Sequence, residues 1–157
     1  MHALSPRRSA GFSLIELVIV VVIIGIIGAI AIPRLSRGAA GAADSKLAGD
    51  LAVLRNAIDL YAAEHNGTFP TLAHIRQQLT MYTDSQGGYA ASKTANHIYG
   101  PYIRKIPAVS VGPRQGATGF GTADGANVGW FYNETTGVIT CNASTETDTS
   151  GKLYIDY

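Results

Sequence analysis

The chain has 157 residues and a formal net charge of +1, from 12 Lys+Arg against 11 Asp+Glu. That balance, with no Lys/Arg cluster interleaved with aromatics, argues against a nucleic-acid surface. The single cysteine, Cys141, leaves no intrachain disulfide, so a folded domain here holds together by packing.

Residues 1–10 (MHALSPRRSA) are polar and carry Arg7 and Arg8. The small residues Ala10 and Gly11 follow, and then an apolar run, FSLIELVIVVVIIGIIGAIAI, over residues 12–32. About 20 apolar residues suffice to cross a bilayer as a helix. Glu16 is the only charge in the run. A carboxylate inside such a span is costly and reads by default as functional, with a partner to be named. A secretory signal places its small cleavage-site residues after the apolar region; here they come before it. Arg7 and Arg8 favour a cytoplasmic N-terminus, but Arg34, Arg37 and Lys46 flank the other end. Physical chemistry alone supports a removed leader and an uncleaved signal anchor equally.

Basic leader, Gly11, then Phe12-Ser13-Leu14-Ile15-Glu16-Leu17-Val18 resembles the N-terminus of a type IV prepilin or a type II secretion pseudopilin. The resemblance implies cytoplasmic cleavage between Gly11 and Phe12 by a prepilin peptidase, with N-methylation of Phe12. It implies a leader over 1–11 and a mature subunit beginning at Phe12. That subunit sits in the inner membrane by a single span, with its C-terminal head periplasmic. It then enters a helical homo-oligomeric filament through an inner-membrane assembly platform, beside other pseudopilins. The family's glutamate falls on Glu16. Cleavage would make an α-amino group at Phe12, one helical turn from Glu16 and on the same face. The partner of Glu16 is then its own Phe12 amine or a neighbour's; in the second case the pair would set subunit register. The plain alternative is a glutamate snorkelling to the interface.

Gly25 and Gly28 lie within the span and Pro33 closes it. Small residues permit close helix approach, and proline removes a backbone hydrogen bond. The resemblance adds that Gly25 to Pro33 is a stretch that loses helicity in assembled filaments. Residues 33–66 read as an amphipathic helix. Leu47, Leu51, Leu54, Ile58 and Tyr61 form one apolar stripe, while Asp44, Lys46, Asp50, Arg55, Asp59 and Glu64 lie largely off it. Asn66-Gly67 is a stop signal, with Pro70 beyond.

Residues 67–157 read as an α/β head. A short helix is expected over 71–82, capped by Thr71. Gly87–Gly125 is irregular, with Gly-Pro at 100–101 and at 112–113. Within it, Tyr99-Gly100-Pro101-Tyr102-Ile103-Arg104-Lys105-Ile106-Pro107 resembles a segment of the major pseudopilin of type II secretion. The family's Asp-Pro-Trp-Gly continuation and acidic C-terminal calcium loop are not evident. Asp124, with Asn127, could offer oxygens to calcium, but one carboxylate falls short of a usual site; no cofactor is expected. Val128–Asn133 and Gly137–Cys141 read as a hairpin, and Lys152–Tyr157 as a last strand. Trp130 reads as a core anchor and Cys141 as a buried thiol. HExxH, GxSxG and Walker motifs are absent, and the histidines are scattered, so no enzyme is expected.

The expected fold is therefore α+β. A long N-terminal helix, half membrane-spanning and half amphipathic, packs on a small antiparallel β-sheet head in a pilin-like layout. The expected function is a structural subunit of a type II secretion pseudopilus. The alternatives are a type IV pilus subunit for adhesion, motility or DNA uptake, and a membrane-anchored binding module that never polymerises.

Overall fold

A computed structural model describes residues 11–157. The expected leader, with Arg7 and Arg8, lies outside them except for Gly11. The chain divides between Gly38 and Ala39 into two compact units. One helix, α1, runs from Leu14 to Glu64.

In the first unit, α1 presents aliphatic residues on every side. The large apolar side chains from Phe12 to Leu35 are 45–84 % exposed. A helix apolar all round needs a non-aqueous surround, and α1 is long and apolar enough to cross a membrane. The helix is continuous through Gly25, Gly28 and Pro33. Proline lacks the N–H that would bond the carbonyl one turn earlier, which weakens the helix locally without breaking it here.

The second unit is built on the other part of α1. Leu47, Leu51, Leu54, Ile58 and Tyr61 are all buried, as the three-and-four spacing predicts. The helix stops at Asn66 and Gly67, with φ of 54° and 81°. The Gly67 N–H donates to Ala62 O at 2.8 Å, closing a left-handed C-terminal cap.

Against the stripe lies a three-stranded sheet of β3 (Gly119–Gly121), β4 (Val128–Tyr132) and β5 (Ile139–Cys141), in the order β3-β4-β5. β4 and β5 form the expected antiparallel hairpin, pairing Trp130 with Cys141 and Tyr132 with Ile139. Trp130, Tyr132, Ile139 and Cys141 turn inward to the core with the stripe. Trp130 donates its indole N–H to Pro107 O at 3.0 Å, and Tyr132 its hydroxyl to Pro70 O at 2.8 Å. Both bury a large ring with its polar atom satisfied. A separate antiparallel pair joins β1 (Tyr82–Thr83) to β2 (Tyr89–Ala90).

Three details differ from expectation. The sheet is mixed, because β3 pairs parallel to β4 with a register shift at Gly119/Phe120. Gly129 permits this close packing: a β-carbon there would meet Ala117 O at 2.5 Å. The helix expected over 71–82 shrinks to α2 (Ile75–Thr80), without a side-chain cap. The Thr71 N–H goes instead to Gln78 Oε1 at 2.8 Å, and Tyr82 joins β1. The expected last strand is a 3₁₀ turn, Tyr154–Asp156, with only a lone bridge from Leu153 to Thr147. Tyr154 turns inward and donates its hydroxyl to Asp44 Oδ1 at 2.6 Å, which an extended alternating strand would not arrange.

Candidate functional site

The start of α1 gathers the residues singled out by sequence. Gly11, Phe12 and Ser13 precede the first helical residue and are exposed. Ser13 is the N-cap and Glu16 the third helical position. Glu16 Oε2 accepts from the Ser13 N–H at 3.1 Å. This is the return half of a capping box, which satisfies a donor that the helix start would otherwise leave open. The Ser-x-x-Glu spacing over 13–16 is the sequence signature for it. Glu16 therefore has a local partner while residue 11 is still joined to residue 12. Its negative charge also lies at the positive end of the helix dipole.

Among the described residues, a β-carbon at Gly11 would meet nothing within 4 Å. The same holds for Gly25 and Gly28 in the span. Pro33 is helical, and its carbonyl accepts from Arg37 Nε at 3.3 Å.

In the head, Asp124 is already engaged. Its Oδ1 accepts from Arg114 Nε at 2.7 Å and its Oδ2 from Arg114 Nη2 at 2.6 Å. Asn142 Nδ2 adds a bond to Oδ1 at 2.7 Å. Arg114, then Asn142, hold the Asp124 carboxyl well below the usual carboxylate range. A cation would have to displace a bidentate guanidinium. Among the described residues, no group of three or more His, Cys, Asp or Glu is placed to hold a metal ion.

Of the described histidines, His65 and His97 both approach Asp84, His65 Nε2 at 2.8 Å from its carbonyl oxygen, while His74 stands apart. His74 is exposed and its ring lies 5.5 Å from that of Tyr89. His65 is buried at the end of α1, and His97 Nε2 lies 3.8 Å from Asp84 Oδ2. Cys141 is fully buried, and burial pushes its thiol up to about 11, away from the thiolate that reactivity needs.

One buried carboxylate stands out. Asp44 is 7 % exposed. It precedes Leu47 by three residues and so continues the buried stripe rather than lying off it. Its Oδ1 accepts from the Tyr154 hydroxyl, and its Oδ2 from Thr149 Oγ1 at 2.9 Å and Thr149 N–H at 3.1 Å. Asp148 collects the rest of the segment: Ser150 N–H at 2.7 Å, Lys152 N–H at 2.9 Å and the Tyr157 hydroxyl at 2.5 Å. Arg55 donates to the Tyr157 and Ile139 carbonyl oxygens. The last residues are thus tied to α1 by carboxylates and a guanidinium.

Residues 6–32 match the family model described as the prokaryotic N-terminal methylation motif. No curated protein and no solved structure is matched. The motif, on an apolar N-terminal helix, supports a type IV pilin-like, membrane-anchored subunit processed by a prepilin peptidase.

Proposed function

We propose that the chain is a pilin-like structural subunit, cut between Gly11 and Phe12, N-methylated on Phe12, and assembled into a type II secretion pseudopilus. One observation carries this reading. An aliphatic helix exposed all round bears a single carboxylate in its first turn, directly after an exposed Gly11–Phe12 bond, all inside the residues matched by the methylation motif. The free space around Gly11 fits the reading, because the small residue answers to no packing need among the described residues. Its smallness then serves recognition by the peptidase.

Cutting the bond places a cationic amine at Phe12, one residue before the Ser13 N–H that Glu16 holds. Glu16 then exchanges a neutral donor for a charged one, on its own chain or on a neighbour's. Either exchange lowers the cost of carrying the carboxylate through lipid into a polymer. Gly25 and Pro33 would let the intervening helix loosen on assembly. The head remains on the extracytoplasmic side of the inner membrane.

The secretion assignment rests on the segment from Tyr99 to Pro107. Tyr102 and Ile103 donate their backbone N–H groups to Leu79 O at 3.0 and 3.1 Å, and Tyr102 donates its hydroxyl to Glu64 at 2.6 Å. This packed segment keeps the residues that resemble the major pseudopilin against α1 and α2.

Mass spectrometry of protein extracted from membranes tests processing: the expected product begins at a methylated Phe12. An intact leader on all of the protein refutes it and leaves a plain membrane anchor. Glu16→Ala is expected to be processed normally and to lose most filament incorporation; normal filament yield removes the charge-pairing role. Loss of the gene should block protein secretion. Intact secretion with loss of surface fibres transfers the chain to type IV pili.

A further inference from the structure

An antiparallel bridge between Thr83 and Tyr99 brings the β1–β2 turn beside the segment that follows β2. The Thr83 N–H donates to Tyr99 O at 3.0 Å, and the Tyr99 N–H to Thr83 O at 3.1 Å. Asp84, next after Thr83, thereby meets His97, two residues before Tyr99. His97 Nε2 lies 3.8 Å from Asp84 Oδ2. That gap exceeds the separation of about 2.7–3.2 Å found in hydrogen bonds from nitrogen to oxygen.

Each group is fixed by its other atom. Asp84 Oδ1 accepts from the Gln86 N–H at 2.9 Å and the Gly88 N–H at 2.8 Å. No described residue donates to Oδ2 within hydrogen-bond distance. Gly88 makes room for that oxygen, since a β-carbon there would lie 2.6 Å from it. His97 Nδ1 stands 2.9 Å from Thr94 Oγ1, which also accepts from the His97 backbone N–H at 3.1 Å. A neutral imidazole that donates from Nδ1 presents a lone pair at Nε2. A partner on the far nitrogen, and hydrogen bonds behind the carboxylate, are the supports that orient metal-binding side chains.

We propose that His97 Nε2 and Asp84 Oδ2 together hold a divalent ion that favours imidazole, zinc above all. In tetrahedral zinc coordination, bonds of about 2.0–2.2 Å set an imidazole nitrogen about 3.4 Å from a carboxylate oxygen. The 3.8 Å gap closes to that spacing with a shift of about 0.4 Å. An imidazole with one carboxylate suits zinc rather than calcium, which takes about six to eight oxygens.

Among the described residues, no third His, Cys, Asp or Glu joins the pair, so the ion keeps open positions. A cavity of about 430 Å³, lined by Asp84, Ser85, Asn96 and Tyr99 among others, lies beside the carboxylate. It gives room for water or an outside donor to complete the coordination. Asp124 is the contrast, because Arg114 already fills its carboxylate. The ion clips the β1–β2 turn to the segment after β2 and stabilises the folded head as its occupancy rises.

Zinc titration of the full chain in detergent micelles, at constant pH, tests this through nitrogen-15 spectra of the imidazole rings. The His97 Nε2 resonance is expected to move and saturate. Those of His65, whose nitrogens both have backbone partners, and of exposed His74 are expected to hold. In calorimetric titration, His97→Ala and Asp84→Asn should each weaken zinc binding by about tenfold or more. Asp84→Asn keeps Oδ1 as the acceptor for Gln86 and Gly88 and replaces only Oδ2, so it tests the ligand and spares the turn. A His97 resonance that stays put at millimolar zinc, or moves no more than that of His74, overturns the proposal. So does unchanged zinc affinity in Asp84→Asn. If a variant does not fold, the wild-type spectra decide alone.

Discussion

Asp44→Asn keeps the shape of the buried side chain and removes its charge. In the wild type, Oδ1 accepts from the Tyr154 hydroxyl at 2.6 Å, and Oδ2 accepts twice from Thr149. The amide offers one acceptor and one donor, so either Tyr154 or Thr149 meets the wrong polarity. A hydrogen bond to a charged group contributes about 1.5–3 kcal/mol. Thr149 is exposed and can turn to water, which leaves a net cost of about 2 kcal/mol. For a domain of this size that is roughly 6–10 °C in the unfolding midpoint. The pH dependence follows from the carboxyl. Tyr154 first, then Thr149, hold Asp44 below its ordinary value against the opposing effect of burial. Its contribution is therefore present above about pH 4 and is lost as pH falls through the lower folded value. Melts of the full chain in detergent, followed by circular dichroism from pH 3 to 7, should show a gap between wild type and Asp44→Asn that closes in acid. Adding Tyr154→Phe should cost less on the Asn background than on the wild type, since the two share one bond. Midpoints within about 1 °C at pH 7, or a gap constant over the whole pH range, would refute the reasoning.

Other outcomes follow from packing and charge. Leu54→Ala, at a position with 0 % exposure, should cost about 2–5 kcal/mol in chemical denaturation, while Val53→Ala, 51 % exposed, should stay within about 0.5 kcal/mol. Equal costs would mean that the stripe is not the core. Millimolar calcium should move the melting midpoint by less than about 1 °C, because Arg114 already occupies the Asp124 carboxylate. A stabilisation of several degrees that Asp124→Asn abolishes would reverse that expectation.

The apolar stripe was legible because helix periodicity repeats in Leu47, Leu51, Leu54, Ile58 and Tyr61, and all five are buried. The helix stop at Asn66-Gly67 was legible for a local reason, the positive φ both residues adopt. Asp44 was not read as buried, because charge suggests solvent. Its partners Thr149 and Tyr154 lie over 100 residues away and leave no local trace. The C-terminal segment misled in the opposite way. Leu153 and Ile155 alternate with polar neighbours like a strand, but the bond from Tyr154 to Asp44 rolls the backbone into a 3₁₀ turn. At the start of α1, the Glu16 carboxylate was legible as costly. The Ser13 N–H it accepts from was equally readable from the Ser-x-x-Glu spacing.

Calorimetry responds to surface newly opened on unfolding. The apolar side chains from Phe12 to Leu35 are not covered by the folded chain itself, so unfolding the head adds nothing from them to the heat-capacity increment. A screen for thermal shift is consequently blind to substitutions there, however severely they impair insertion or assembly. Damage to the head and damage to the anchor belong to two separate assays.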